Sequence, residues 1–436
     1  MPALTGSRKI AVLLCNFTDT AQAQPHPPGH YEDLFVNVGT GGLNDYWRDV
    51  SYGKVNTDGS KVFGWNTVPS TLAQYVLDHP GRWDKISGAF AAFPAYKPAD
   101  FNHVVAIFNA DVGDESAAGG VLTIAGRDDL TFLAHETGHL FGLEHSFDES
   151  DRKLVTWSAP GEYYDSHDIM SARNVFGTPT PRFGSAGPRA AAPHLDRLGW
   201  LDRDRVWRPE SENSSFLRTL DLVALGHPEV PGYLAAKIDD LYVEFRTRDG
   251  FDAGIPRPTV LIHSLRDPNP VALTTDRTTW NNEWLPGMTY PTPRAGTTGP
   301  HLPGVDELFG GGGVTIEVLQ IDPAAMKARI QLRKTASRRP PVVGGGIPIG
   351  GWNVVGSDGG GWVILPSGKL IRIPPHSPFL ALVSKLALVT EAQAILEADS
   401  FAAVQLLILD ETQTDLKRMH AEAKASQRKG GDQGTS

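Results

Sequence analysis

The chain is 436 residues long, with a formal net charge of −10 and 40% hydrophobic against 21% charged residues. Such a length accommodates two or three domains with cores of their own, and the acidic balance speaks against nucleic acid or an anionic membrane surface as the main partner. The single cysteine, Cys15, excludes an intrachain disulfide, and no segment reaches the roughly eighteen uninterrupted apolar residues of a membrane span.

Residues 9–17 (KIAVLLCNF) read as a buried strand and place Cys15 in the core. Arg8-Lys9 ahead of this run has the look of a signal-peptide start. The run is too short for one, however, and Asn16-Phe17-Thr18-Asp19 follows at once without a small-residue cleavage site. A helix over 41–50 comes next, then a strand pair within 53–67 turning at Asp58-Gly59, and helices over 70–78 and 82–92. His103–Phe108 is a core strand, and 120–125 is a further strand directly before the most informative part of the chain. There, Asp128 or Asp129 offers an N-cap, and Leu130, Leu133, Ala134, Leu140 and Phe141 give a helix its apolar faces.

That helix carries the sequence HETGHLFGLEH over 135–145. His135 and His139 are four apart, so their imidazoles lie on one helix face and can share a metal ion. Glu136 can reach a water on that ion without ligating it. Gly142 lets the chain turn out of the helix and brings His145 round as a third ligand. Three neutral imidazoles leave a tetrahedral Zn2+ one open position, the mark of a catalytic rather than a structural site. Glu136 is then the candidate general base toward a peptide bond.

Downstream, Asp168-Ile169-Met170-Ser171 sets a methionine twenty-five residues after His145. The histidine pattern followed by such a turn resembles the metzincin zinc endopeptidases. The stretches 43–55 (LNDYWRDVSYGKV) and 194–201 (HLDRLGWL) are similar to segments of the immune inhibitor A and gametolysin-like branch, and 242–246 with 254–256 resembles the module that often follows its catalytic domain. The resemblance spans roughly residues 8–265 and is tightest at the motif. It implies an α/β (α+β) catalytic domain with a twisted mixed sheet and an active-site helix, with Met170 as an apolar floor beneath the three histidines. It also implies a protein or peptide substrate, secretion, and an edge strand at 120–125 whose Gly120, Val121, Leu122 and Thr123 bind an extended substrate through the main chain. The chain departs from the astacin and serralysin pattern at Ala172, where those relatives carry a tyrosine, so no tyrosine ligand is expected from that position.

The organisation read from the sequence is a catalytic domain over 1–202, a β-rich sandwich-like domain over 203–337, a Gly/Pro-rich linker with a small hairpin over 338–378, and a helical C-terminal region over 379–436 ending in a polar tail. The expected strands of the β-rich part fall at 216–225, 233–238, 241–246, 259–265, 314–321 and 328–332, and 278–303 reads as a long ordered loop. Two acidic clusters offer Ca2+-type oxygen ligands, Asp111/Asp114/Glu115 and Asp148/Glu149/Asp151, and each also reads as a solvated acidic loop. Glu144 and Ser146 flank the third histidine as candidate supports, and His167 reads as a hydrogen-bonded loop histidine. The alternative readings are a catalytically inactive binding protein and a zinc exopeptidase. An intact Glu136 beside three intact ligands favours turnover, and no carboxylate cluster to hold a free terminus is found.

Overall fold

The computed structural model describes residues 3–113, 116–117, 119–172, 174–211, 214–266, 268–291 and 313–335, together with the backbone of four short strands between 347 and 373. The fold is mixed α/β, with several sheets and few helices. The chain divides into one compact unit of 1–212, 218–292 and 316–332, and a second of 213–217, 293–315 and 333–436.

The centre of the first unit is a five-stranded sheet in the order Lys61–Val68, Ile10–Phe17, His103–Phe108, Val121–Ile124, Ser116–Ala117. Its first four strands run parallel, and Ser116–Ala117 alone is antiparallel to its neighbour. Ile10–Phe17 is buried along its whole length, as befits a parallel strand covered on both faces. Its side chains alternate between two cores. Ile10, Val12 and Leu14 join Trp47, Leu133, Met170 and Trp200 on one side. Ala11, Leu13, Cys15 and Phe17 join Tyr75, Ile86 and Phe108 on the other. Burial pushes the Cys15 thiol well above its ordinary range, leaving it an inert core residue.

Two sequence expectations are corrected here. The strands flanking Asp58-Gly59 do not pair with each other. Val55–Asn56 pairs in parallel with Gly6–Ser7, and Lys61–Val68 pairs in parallel with Ile10–Phe17. An apolar strand needs partners on both edges, and the central strand claims 61–68 for one of them. Val121–Ile124 is not the sheet edge either, because Ser116–Ala117 pairs along its outer side. The helices come close to expectation, at Leu43–Val50, Leu72–Asp78 and Arg82–Gly88, the last continued by a 3-10 turn over Ala89–Ala92.

The β-rich region contributes a six-stranded sheet in the order Val206–Trp207, Ala235–Ile238, Leu241–Arg246, Thr259–Arg266, Asn269–Ala272, Phe147–Asp148. Its last strand comes from just after the third histidine, so this sheet and the histidine-bearing segment belong to one unit. A four-stranded sheet orders Phe216–Val223, Lys327–Lys334, Val314–Asp322 and Thr289–Tyr290. In the second unit, Gly361–Ile364 pairs antiparallel with Leu370–Ile373, the small hairpin expected there, and Ile347–Ile349 pairs with Trp352–Val354. The helices expected over 379–425 and the polar tail lie outside the described residues, as does much of the 278–303 loop. Among the described residues no helix is long and apolar enough to cross a membrane.

The motif helix is Leu130–Leu140. The Asp129 carboxylate accepts from the Phe132 amide at 2.8 Å and is the N-cap, a contact that contributes about 1 kcal/mol. At the other end, the Leu143 amide donates to Gly138 O at 3.0 Å and the Gly142 amide to His139 O at 2.9 Å. These two bonds make a Schellman stop, with Gly142 at φ +87°. A Cβ on Gly142 would meet nothing within 4 Å, so only its backbone conformation demands glycine. Gly142→Ala is accordingly expected to cost about 1–2 kcal/mol in chemical denaturation, and a loss of only a few tenths would contradict the turn's dependence on glycine.

Candidate metal centre

The helix sets His135 and His139 on one face, and the Schellman turn sends the chain back so that His145 completes the set. His139 Nε2 lies 3.1 Å from His135 Nε2 and 3.1 Å from His145 Nε2. Metal–nitrogen bonds of about 2.0–2.1 Å in a tetrahedral site separate ligand nitrogens by about 3.4 Å, close to what is seen. Among the described residues this is the one group of histidine, cysteine or carboxylate side chains arranged to hold a metal ion.

Each ring is fixed through its other nitrogen. His135 Nδ1 donates to Ile169 O at 3.0 Å and His139 Nδ1 to Leu143 O at 2.9 Å. His145 Nδ1 donates to Glu162 Oε1 at 2.6 Å. The Ala172 amide lies 3.1 Å from His135 Nδ1 as well, so that nitrogen has both a donor and an acceptor within reach. Ligation through Nε2 selects the Nδ1–H form, which bonds Ile169 O. Burial, followed by neighbouring imidazole charge, holds His135 well below the ordinary histidine range and lowers His139 too. The His135 and His139 rings are therefore held neutral, and the Nε2 atoms of all three rings crowd toward one point, an arrangement that a cation relieves. The donor set fits a metal ion.

Glu136 is 5% exposed, and the Ala117 amide donates to its Oε2 at 2.6 Å. The outer strand thus grips the candidate base. Met170 is fully buried beneath the helix. A Cβ on Gly138 would stand 2.7 Å from Met170 Sδ, so glycine at this helix position lets the methionine approach the backbone. The Met170 turn is held by Asp168, which accepts from the Met170 amide at 3.1 Å and from Ser146 Oγ at 2.5 Å. Burial and the nearby Asp165 charge push the Asp168 carboxyl up to about 7. Ser146 does support the site, through Asp168, whereas Glu144 is exposed.

The remaining sequence candidates fall elsewhere. Val121, Leu122 and Thr123 are fully buried strand residues. A Cβ on Gly120 would meet Val104 O at 2.8 Å, so Gly120 packs against the neighbouring strand. Among the described residues of this region, Ser116 and Ala117 line the cleft. The strand in front of the site is therefore Ser116–Ala117 rather than 120–125. His167 is buried against Phe176, and neither of its ring nitrogens has a hydrogen-bond partner among the described residues. The Asp148 carboxylate accepts from Ser150 and Arg152, and Glu149 accepts from the Thr274 amide. Asp111 accepts from the Gly113 amide and faces Arg127, while Asp114 and Glu115 lie outside the described residues.

Sequence reading missed Glu162 and Tyr163. The Tyr163 hydroxyl lies 3.3 Å from His145 Nε2, and its ring packs on the His145 ring at 4.4 Å between centroids. Burial raises this phenol above its ordinary range, so it stays protonated. A tyrosine does reach the site, from seven residues before Met170 rather than two after it. Asn269, on the six-stranded sheet, donates from Nδ2 to His145 O at 2.9 Å and anchors the third histidine. The histidines, Glu136, Ala117 and Tyr163 border one open cleft of about 650 Å³.

No protein-family model matches the chain, and no curated protein matches it significantly. The site's chemistry is argued from its own atoms. Because Glu162 fixes the tautomer and orientation of His145, Glu162→Gln is expected to weaken divalent-cation affinity about 10–100-fold in chelator competition. Unchanged affinity would remove Glu162 from the site.

Proposed function

We propose that the chain is a zinc-dependent endopeptidase of the metzincin type, acting on protein or peptide substrates. The observation that carries this reading is the convergence of three imidazole Nε2 atoms, 3.1 Å apart along the two closest pairs, beside a carboxylate held by a strand at the cleft rim. Support also comes from Met170, buried under the helix, and from the mixed sheet with a short antiparallel strand in front of the cleft. The zinc ligands are His135, His139 and His145. When bound, zinc supplies Lewis-acid polarisation of a carbonyl and acidifies a water toward neutrality.

The residues of the chain do the rest. An extended substrate lies along Ser116–Ala117, adding to the sheet through main-chain hydrogen bonds. Glu136 Oε2 takes the proton of the attacking water as its oxygen bonds to the carbonyl carbon. The carboxylic acid then gives that proton to the amide nitrogen as the C–N bond breaks, so Glu136 ends as it began. The Ala117 amide orients that carboxylate throughout. Tyr163 remains a neutral donor, and its hydroxyl is close enough to His145 Nε2 to hydrogen-bond the carbonyl oxygen as negative charge gathers there. An open cleft suits cleavage within a chain.

Glu136→Gln keeps the shape of the side chain and loses the base. Casein cleavage by this variant is expected to fall about 10²–10⁴-fold with metal content unchanged. Full activity in the variant would sink the assignment of Glu136.

A further inference from the structure

Eight large apolar side chains stand exposed among the described residues, and three of them fall within positions 154–157: Leu154 at 41%, Val155 at 37% and Trp157 at 74%. All three line the cleft that holds the histidines and Glu136. Scattered apolar side chains on a surface need no explanation, but a group of them at the mouth of a polar site does.

The segment is not loose. The Gly161 amide donates to Arg152 O at 2.8 Å and closes the neck of the loop, and Ser158 bonds back to Val155 O across its tip. The Ala159 amide donates to Glu162 Oε2 at 2.6 Å, while the other oxygen of the same carboxylate holds His145. One side chain therefore sets both the third histidine and the loop. Rings form a short ladder outward from the site: His145 on Tyr163 at 4.4 Å, then Tyr163 against the edge of Trp157 at 6.3 Å. A surface two ring contacts from a metal-binding histidine meets the substrate residue next to the reacting bond or its immediate neighbour. A preformed compact loop of this size, with its ends tied together, is a common carrier of binding residues.

We infer that Leu154, Val155 and Trp157 form a substrate subsite that selects a bulky aliphatic or aromatic side chain close to the scissile bond. This rests on the peptidase reading above. The apolar wall buries such a side chain on binding, while a small or charged one gains nothing from it. Trp157 supplies most of the wall, being the largest of the three and the most exposed.

The test is cleavage-site profiling on a peptide library by wild type and Trp157→Ala, with zinc content measured for both. In parallel, the best-cleaved peptide is titrated against zinc-loaded Glu136→Gln, with and without Trp157→Ala, by calorimetry. The expected result is a wild-type preference of at least about tenfold in kcat/KM for Leu, Phe, Tyr or Trp over Ala near the bond. That preference should fall about tenfold in Trp157→Ala, with equally weakened peptide binding and unchanged zinc. Cleavage by wild type without such a preference, or a preference and binding untouched by Trp157→Ala, would overturn the subsite alone. Failure of wild type to bind zinc or cleave any peptide would overturn the peptidase reading, and the subsite with it.

Discussion

Everything at this site depends on where three nitrogen lone pairs point. A histidine ring can ligate through either nitrogen, and all three rings of this site turn Nε2 toward one point. Here the choice is made by three acceptors placed by the fold: Ile169 O under the helix, Leu143 O in the turn that ends it, and Glu162 across from His145. Two are backbone carbonyls, so the ring orientations of His135 and His139 follow from the chain's path. At His135, where the Ala172 amide also lies 3.1 Å from Nδ1, ligation through Nε2 would select the Nδ1–H form. The third is a side chain, and it is the point at which the site can be tuned most readily.

The path itself is held from several directions. Trp47 is buried against the helix, donates from Nε1 to Thr137 Oγ1 at 2.9 Å and packs on Phe141 and Trp200. The stretch 194–201, singled out in the sequence, thus acts structurally, through a fully buried Trp200. On the other side Phe147–Asp148 joins the six-stranded sheet, so His145 is fixed between that sheet and the Met170 turn. Arg246 lies fully buried between Glu244 and Asp252 and donates to Ala190 O. Its two carboxylates keep its charge compensated in the interior, where an unpaired charge would be costly. The β-rich region is thereby part of the scaffold that shapes the centre.

Much of this was legible in the sequence for a physical reason. His135, Glu136, His139, Gly142 and His145 act through helical spacing and one turn, both local, and a residue pattern records local geometry directly. The strands rich in Val, Ile and Leu were legible as strands for the same reason. Their partners were not. Val121–Ile124 has the apolar pattern of a strand, but whether it is an edge depends on Ser116–Ala117, two residues without any pattern of their own. Asp58-Gly59 does mark a turn, with Gly59 at φ +78°, yet the flanking strands leave for different sheets. Glu162 and Tyr163 reach His145 across seventeen and eighteen positions, through a loop with no periodicity to read. Long-range pairing and loop closure are decided by packing, and a single sequence carries little trace of either.

The central claim is that His135, His139 and His145 bind one divalent ion together. The most direct measurement is calorimetric titration of the metal-free protein with Zn2+, for the wild type and for His139→Ala. The structure predicts one tight equivalent for the wild type and its loss in the variant, because His139 Nε2 is the atom within 3.1 Å of both other ligands. A wild type that takes up no zinc, or a variant that binds it as tightly, would contradict the account.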